Sequence, residues 1–419
     1  MNADGKASRK ETPLDSAREQ AAQYERRRAL RALLQQPLLT ADGLAAEEFG
    51  LVRRHAEKLR DWLLANTGWG LHVTSELARL RKTPADLDDA TFGAEENRTR
   101  LPFSRRRYVV LCLALAALER SDRQTTLTIL ADNIVTACQA EPCFAANGIT
   151  FDLSDQNQRR DLVAVVRFIL DRQVIRRVHG DEEQYLQDER NNVLYTVNRP
   201  ILSAMLCVQR GPSTVSATTL DERIAAISAE IGPDTEEAAN RRIRWRLTRR
   251  LLEQPVLYYQ DLNDAERMYL DRQRSRILGH ISEATGLVPE VRREGIAMLD
   301  ETGDFTDHKL AENGTDGHLT LLLAEFLAIE TRAEGGESVG YAALRAKTVA
   351  LITEHRRHWR RDVTEPGADH ALTEMALRRL EALRLITRFE HGVQPRPAIA
   401  RYSVGAVTVE TEPTLFSGE

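Results

Sequence analysis

Lysine is nearly absent: only six of the 58 basic residues are lysine, at positions 6, 10, 58, 82, 309 and 347, and the rest are arginine. A genome rich in G and C would favour arginine codons, so the bias alone carries little functional weight. Cysteine is scarce too, and Cys112, Cys138, Cys143 and Cys207 form neither a CxxC pair nor a close pairing with histidine. Neither a zinc site nor a disulfide framework is indicated. Cys112 sits in an apolar run and reads as core filler. Aromatics make up 5%, with 14 prolines and 23 glycines, which argues against an all-β or disordered chain. No run approaches the ~20 apolar residues that span a bilayer, and residues 1–18 lack the apolar core of a signal peptide, so a cytoplasmic protein without a membrane segment is expected. Signatures of phosphate loops, nucleophile elbows, zinc proteases and dinucleotide folds are missing. The net charge of −5 excludes an indiscriminate nucleic-acid coat, so any DNA contact must be local.

What the chain has is a copy of itself. Arg26 to Leu80 recurs without a gap at Arg244 to Met298, with identities at Leu33/Leu251, Gln36/Gln254, Pro37/Pro255, Leu39/Leu257, Thr67/Thr285, Gly68/Gly286 and Glu76/Glu294. Downstream, Arg172, Arg176, His179 and Gly180 align with Arg384, Arg388, His391 and Gly392, and Tyr108 to Glu119 is echoed by Leu319 to Glu330. At 419 residues the chain is too long for one core, and two to four domains are expected. The halves run from about Tyr24 to Asn198 and from Ile243 to Val404.

Within each half the apolar spacing predicts two pieces, giving a mainly α chain with small β-hairpins, an α+β class of tandem winged-helix modules in two homologous halves. The boundaries are a polar tail at 1–23, a helix-helix-hairpin module at 24–100, a winged helix at 101–207, a linker at 208–240, a second helix-helix-hairpin module at 241–316, a second winged helix at 317–404 and a tail at 405–419. The first piece reads as a short helix ending at Pro37, one helix from about Ala45 to Asn66 closed by Gly68, and a two-stranded hairpin over Trp69 to Lys82. The second piece starts with Ser104 capping a helix over Arg105 to Arg120, continues with helices capped near Ser121 to Thr126 and at Ser154 or Asp155, and ends in strands at Val174 to Val178 and Val193 to Val197. In the second half the expected elements are Leu319 to Glu330, Tyr341 to Arg361, Ala371 to Leu383, and strands Leu385 to Phe389 and Ile399 to Val404.

Chemistry is sparsely marked. Asp86, Asp88 and Asp89 form a DxDD-like cluster that could hold magnesium, although a polar loop is the simpler reading. His355 and His358 lie three apart among basic residues that would repel a cation. His179 and His391 are expected at equivalent turns. No catalytic residue, metal ligand or cofactor is expected. For nucleic acid, Arg356, Arg357, Trp359, Arg360 and Arg361 end a predicted helix, and Arg396 lies in an acid-free wing at Gly392 to Pro397. These could neutralise phosphates or form a solvated helix end. The first-half wing, with Asp181, Glu182, Glu183, Asp188 and Glu189, would repel DNA and meet solvent or a basic protein. A further run, Arg241, Arg242, Arg244, Arg246, Arg249 and Arg250, could bridge acidic partners.

Leu33 to Leu39, the helix end at Thr67 and Gly68, and Arg176 to Gly180 followed by Tyr195, Val197 and Asn198 to Pro200 resemble the KITE subunits of bacterial SMC-like complexes, in particular those of Wadjet anti-plasmid defence systems. The resemblance covers roughly Tyr24 to Val404. It implies tandem winged-helix modules that bind a kleisin-like subunit, associate with themselves, and help a coiled-coil SMC-like ATPase hold double-stranded DNA without sequence specificity. Other KITE proteins work as two copies, whereas this chain carries two KITE-like units. A winged-helix transcription regulator on operator DNA is the alternative expectation, and a magnesium-dependent nuclease using Asp86, Asp88 and Asp89 a third.

Overall fold

A computed structural model of the chain describes residues 13–87, 89, 93–96, 101–187, 192–206, 210–230, 232–306, 314–333 and 338–402. Asp88, Asp188, Glu189, Cys207 and the C-terminal tail named above lie outside the described residues. The chain divides into two compact units, Met1–Trp245 and Arg246–Glu419.

The first unit opens with α1 (Pro13–Gln35), β1 (Leu38–Thr40), α2 (Ala46–Arg54), α3 (Ala56–Thr67), β2 (Gly70–Val73) and β3 (Leu77–Arg81). The expected single helix is thus broken at His55, whose backbone leaves the helical range and whose ring meets Glu25 at 2.8 Å. The first helix is long rather than short, and the boundary drawn at residue 24 falls inside it. Next come α4 (Arg105–Arg120), β4 (Gln124–Thr126), α5 (Leu127–Ala140), α6 (Pro142–Ala146), α7 (Gln156–Asp171), β5 (Ile175–His179), α8 (Glu182–Gln187), β6 (Leu194–Val197), α9 (Arg199–Met205) and α10 (Leu220–Ser228). Ser104 and Asp155 cap α4 and α7 as expected, accepting from the backbone nitrogens of Arg107 and Asn157. Leu118, Leu127, Leu130, Ile134, Leu162, Val165, Ile169 and Tyr195 fill the core, which also takes in Leu38 and Leu77. Cys112 is exposed, not core filler, because α4 buries only the face of Val110, Leu111, Ala114 and Leu118.

The division between the units falls within α11 (Glu236–Glu253). The second unit continues with β7 (Leu257–Tyr258), α12 (Asp264–Thr285), β8 (Val288–Val291), β9 (Gly295–Leu299), α13 (Thr315–Ala333), β10 (Val339–Gly340), α14 (Tyr341–His355), α15 (Ala368–Ala382), β11 (Ile386–Phe389) and β12 (Gly392–Pro395). Two expectations fail here. Helix α14 ends at His355 rather than Arg361, and Pro397–Tyr402 forms a 3-10 helix where a strand was expected. Leu327, Leu344, Leu377, Leu380, Ile386 and Val393 form one core, while Leu319, Leu323, Leu351, Trp359, Leu372 and Ala376 form another.

The described strands make four antiparallel three-stranded sheets with orders β1-β3-β2, β4-β6-β5, β7-β9-β8 and β10-β12-β11. The strand that comes last in the chain is central each time, so every expected hairpin carries a third, edge strand that the sequence reading missed. Pairing follows the internal repeat: Leu39↔Ala78 recurs as Leu257↔Ile296, and Gly70↔Arg81 as Val288↔Leu299. The recurring Thr-Gly pair also has a local cause. Gly68 and Gly286 end their helices at φ 67° and 79°, a conformation that favours glycine. The preceding hydroxyls donate to Leu63 O at 2.6 Å and Ile281 O at 2.7 Å, and accept from the nitrogens of Trp69 and Leu287 at 3.2 Å. Arg28 meets Glu48 at 2.7 Å as Arg246 meets Glu266 at 2.8 Å.

Downstream the sequence alignment slips by one residue. Gln173 and Arg384, at φ 57° and 54°, lie just past α7 and α15, and the next nitrogen bonds back to Ile169 O and Leu380 O. Arg384 therefore stands where Gln173 does, not Arg172. His179 closes β5 and Gly180 follows it at φ 95°, whereas His391 lies in a tight turn and Gly392 opens β12, so the expected equivalence of these turns is withdrawn.

Candidate nucleic-acid interface

The basic cluster after α14 splits into two groups. Trp359 turns inward to 7% exposure, donates its indole N–H to His318 Nδ1 at 3.1 Å, and stacks on the His355 ring at 5.5 Å. The Arg360 nitrogen donates to Thr315 Oγ1 at 2.9 Å, and its guanidinium reaches Asp316 and Asp362, each at 2.9 Å. Trp359 and Arg360 thus fasten the loop to α13 and leave the set expected to touch DNA. Arg356, Arg357, His358 and Arg361 are exposed, and none has a side-chain partner among the described residues. They lie between α14 and α15, the second and third long helices of this module.

Arg396 also leaves the set. Its guanidinium lies 3.9 Å from the Tyr258 ring centre and donates to Asp261, with a side chain only 15% exposed. The wing is a two-residue turn of Glu390 and His391 joining Phe389 to Gly392, shorter than expected. Tyr258 donates its hydroxyl to Arg384 O at 2.7 Å, and burial pushes its pKa up to about 12.

The candidate partner run on α11 is largely committed to the fold. Arg244 donates to Ala65 O at 2.8 Å, joined there by the Trp245 indole at 3.1 Å. Arg246 pairs with Glu266, and Arg249 and Arg250 are buried at 3% and 8%, with Arg250 donating to Gln254. Arg241 and Arg246 keep an exposed position, with Arg241 over the Trp245 ring, while Arg242 is half-buried and donates to Pro233 O at 3.3 Å. A helix that opens the second repeat must bury one face, and the arginines on that face turn inward with it.

The acidic wing reads differently in three dimensions. Glu182 is buried, accepts from the Tyr195 hydroxyl at 2.8 Å and pairs with Arg177, so it serves the core rather than a basic partner. Burial, followed by the bond to Glu182, raises the Tyr195 pKa. His355 is spent on Trp359 and His318, whose ring centre is 4.9 Å away. Asp86 and Asp89 both have partners within the chain. No group of three or more His, Cys, Asp or Glu able to hold a metal ion occurs among the described residues.

The sequence reading missed one basic surface. Arg272, Arg274 and Arg276 on α12 are exposed, as is Arg293 in the β8–β9 turn, and no described residue partners their side chains. The spacing of Arg272 and Arg276, one helical turn apart, could have found it.

Among the described residues no helix is long and apolar enough to cross a membrane. A model for the family described as a protein of unknown function (DUF2398) matches residues 30–405. No curated protein and no solved structure matches the chain.

Proposed function

We propose that this chain, which belongs to the DUF2398 family, is a non-catalytic accessory subunit of duplicated, tandem winged-helix modules. It takes the place of a KITE subunit in a Wadjet-like, SMC-type anti-plasmid complex of the cytoplasm. There it binds a kleisin-like segment and helps the ATPase hold duplex DNA. The observation that carries this reading is the recurrence of one order, helix, strand, two helices and two strands, to which the second stretch adds the short helices α6 and α8, with the last strand central in all four sheets. In α12 the two middle helices run together. That order is a winged-helix order, and pairing at a constant sequence spacing supports duplication.

Binding without sequence preference fits the surfaces better than operator reading. Helix α7 buries an unbroken run from Asp161 to Val166 together with Phe168 and Ile169, and exposes only Gln156, Asn157 and Arg160 in its first turns. Helix α15 exposes His370, Arg378 and Glu381, a mixed set whose Arg378 lies 3.6 Å from Glu374. Arg356, Arg357 and Arg361 suit backbone phosphates, which fix position without reading bases.

Co-expression of the full chain with its neighbouring genes tests the reading. A kleisin-like protein and a coiled-coil ATPase should co-purify with it, and a chain that comes away without either would overturn the proposal. A gel-shift series on unrelated short duplexes separates the regulator, which should prefer one sequence by roughly a thousandfold or more.

A further inference from the structure

Surface positions matched at the 218-residue spacing, on α12 in the second unit and on α2 and α3 in the first, have opposite electrical outcomes. In the second unit they are Met268, Arg272, Ser275, Arg276 and Gly279 of α12, and at the repeat spacing the first unit has Gly50, Arg54, Glu57, Lys58 and Asp61. All ten residues are exposed. In the first unit the charges at these positions cancel, and Arg54 is held by Glu25 at 2.7 Å. Where Glu25 stands in one repeat, Ile243 stands in the other. The second-unit face therefore keeps two unpartnered guanidiniums and no acid. The nearest acids on the same helix are occupied: Asp271 pairs with Arg267 at 3.3 Å, and Glu283, one turn on from Gly279, has a partner within the chain.

Gly279 is the second observation. A Cβ placed there would meet nothing within 4 Å, so packing does not require glycine. An exposed mid-helix glycine is less favourable than alanine. What it provides is bare backbone beside Arg272 and Arg276, where a ligand can come close. The module adds a third unpartnered cation, Arg293, at the turn of its hairpin.

Building on the duplex-binding reading above, we propose that the exposed face of α12, with Arg272, Arg276 and the open backbone at Gly279, is a phosphate-backbone contact for double-stranded DNA, flanked by Arg293. Arginine supplies the charge-assisted bonds that phosphate oxygens accept. Met268 is the face's one apolar side chain, too little for the buried anchors on which a protein partner's affinity depends. The first unit lacks this activity because Glu57, Asp61 and Glu25 neutralise the same positions.

The full-length chain titrated against a fluorescein-labelled duplex of about 30 base pairs, by anisotropy at several salt concentrations, tests this. Arg272→Ala with Arg276→Ala should weaken binding at least about tenfold and lower the salt slope by about two. Ser275→Glu with Gly279→Asp, which copies the first-unit pattern, should weaken it similarly, with unchanged circular dichroism confirming the fold. Unchanged affinity and slope in both variants would overturn the proposal, as would a wild-type chain that binds no duplex. So would loss of binding to a labelled polyglutamate peptide while DNA binding holds, which would assign the face to an acidic protein. Arg356→Ala, Arg357→Ala and Arg361→Ala together form the separate arm: loss there with none in the α12 variants sinks this face and leaves the accessory-subunit reading standing.

Discussion

One guanidinium nitrogen of Arg396 donates to both carboxylate oxygens of Asp261 at 2.8 Å, tying the segment after β12 to the segment after β7. The guanidinium also lies over Tyr258, so one side chain holds β7 and the segment after β12 together. Arg396→Ala should destabilise that unit by about 1–3 kcal/mol, since it strips a partner from Asp261 and packing from the ring. Urea unfolding measures the loss. DNA affinity should not move, and a selective loss of DNA binding without loss of stability would return Arg396 to the interface.

Trp359 makes a parallel case. Trp359→Ala removes a buried ring and leaves His318 Nδ1 without its donor, so a loss of about 3–5 kcal/mol is expected, read as a lower midpoint in chemical denaturation. A stable variant with weakened DNA binding would contradict the inward placement.

Two glycines of the second unit should respond in opposite ways to Gly279. A Cβ at Gly295 would lie 2.4 Å from Leu257 O, and one at Gly392 would lie 2.4 Å from Val339 O, so either alanine must push the central strand off its edge partner. Gly295→Ala and Gly392→Ala should each cost about 1–3 kcal/mol. Gly279→Ala should stabilise the helix by about 0.5–1 kcal/mol, because its Cβ meets open space. Thermal unfolding of the three variants orders them.

Acid should act on the second unit through Glu374, which Arg388 grips with both terminal nitrogens at 2.7 and 2.8 Å. That hydrogen bonding, outweighing burial, holds the Glu374 carboxyl below its ordinary value of 4.5. A depressed native pKa contributes stability that is present above 4.5 and is lost as pH falls through the native value. Stability curves taken from pH 6 down to 3 should therefore decline, and Arg388→Ala should flatten that limb by on the order of 1 kcal/mol. An identical acid limb in the variant would refute the assignment.

The helix caps and the last two strands of the first three sheets were legible in the sequence because each rests on local rules, whereas β12 lies where a wing was expected and the strand expected after it is a 3-10 helix. Thr67-Gly68 and Thr285-Gly286 close their helices wherever they fold, and Ser104 and Asp155 need only the next turn of chain. Strands β1, β4, β7 and β10 were not legible. At two or three residues they carry no alternation of their own, and they exist because a central strand offers them an unpaired edge. The arginines divide in the same way. Sequence determined that they cluster at Arg241–Arg250, Arg356–Arg361 and along α12. Tertiary structure decided which of them face a carboxylate, a ring or water: α1 brings Glu25 to Arg54, whereas Arg272, 218 positions on, meets no carboxylate among the described residues. A charge's availability depends on neighbours supplied by other segments, and those are set by packing.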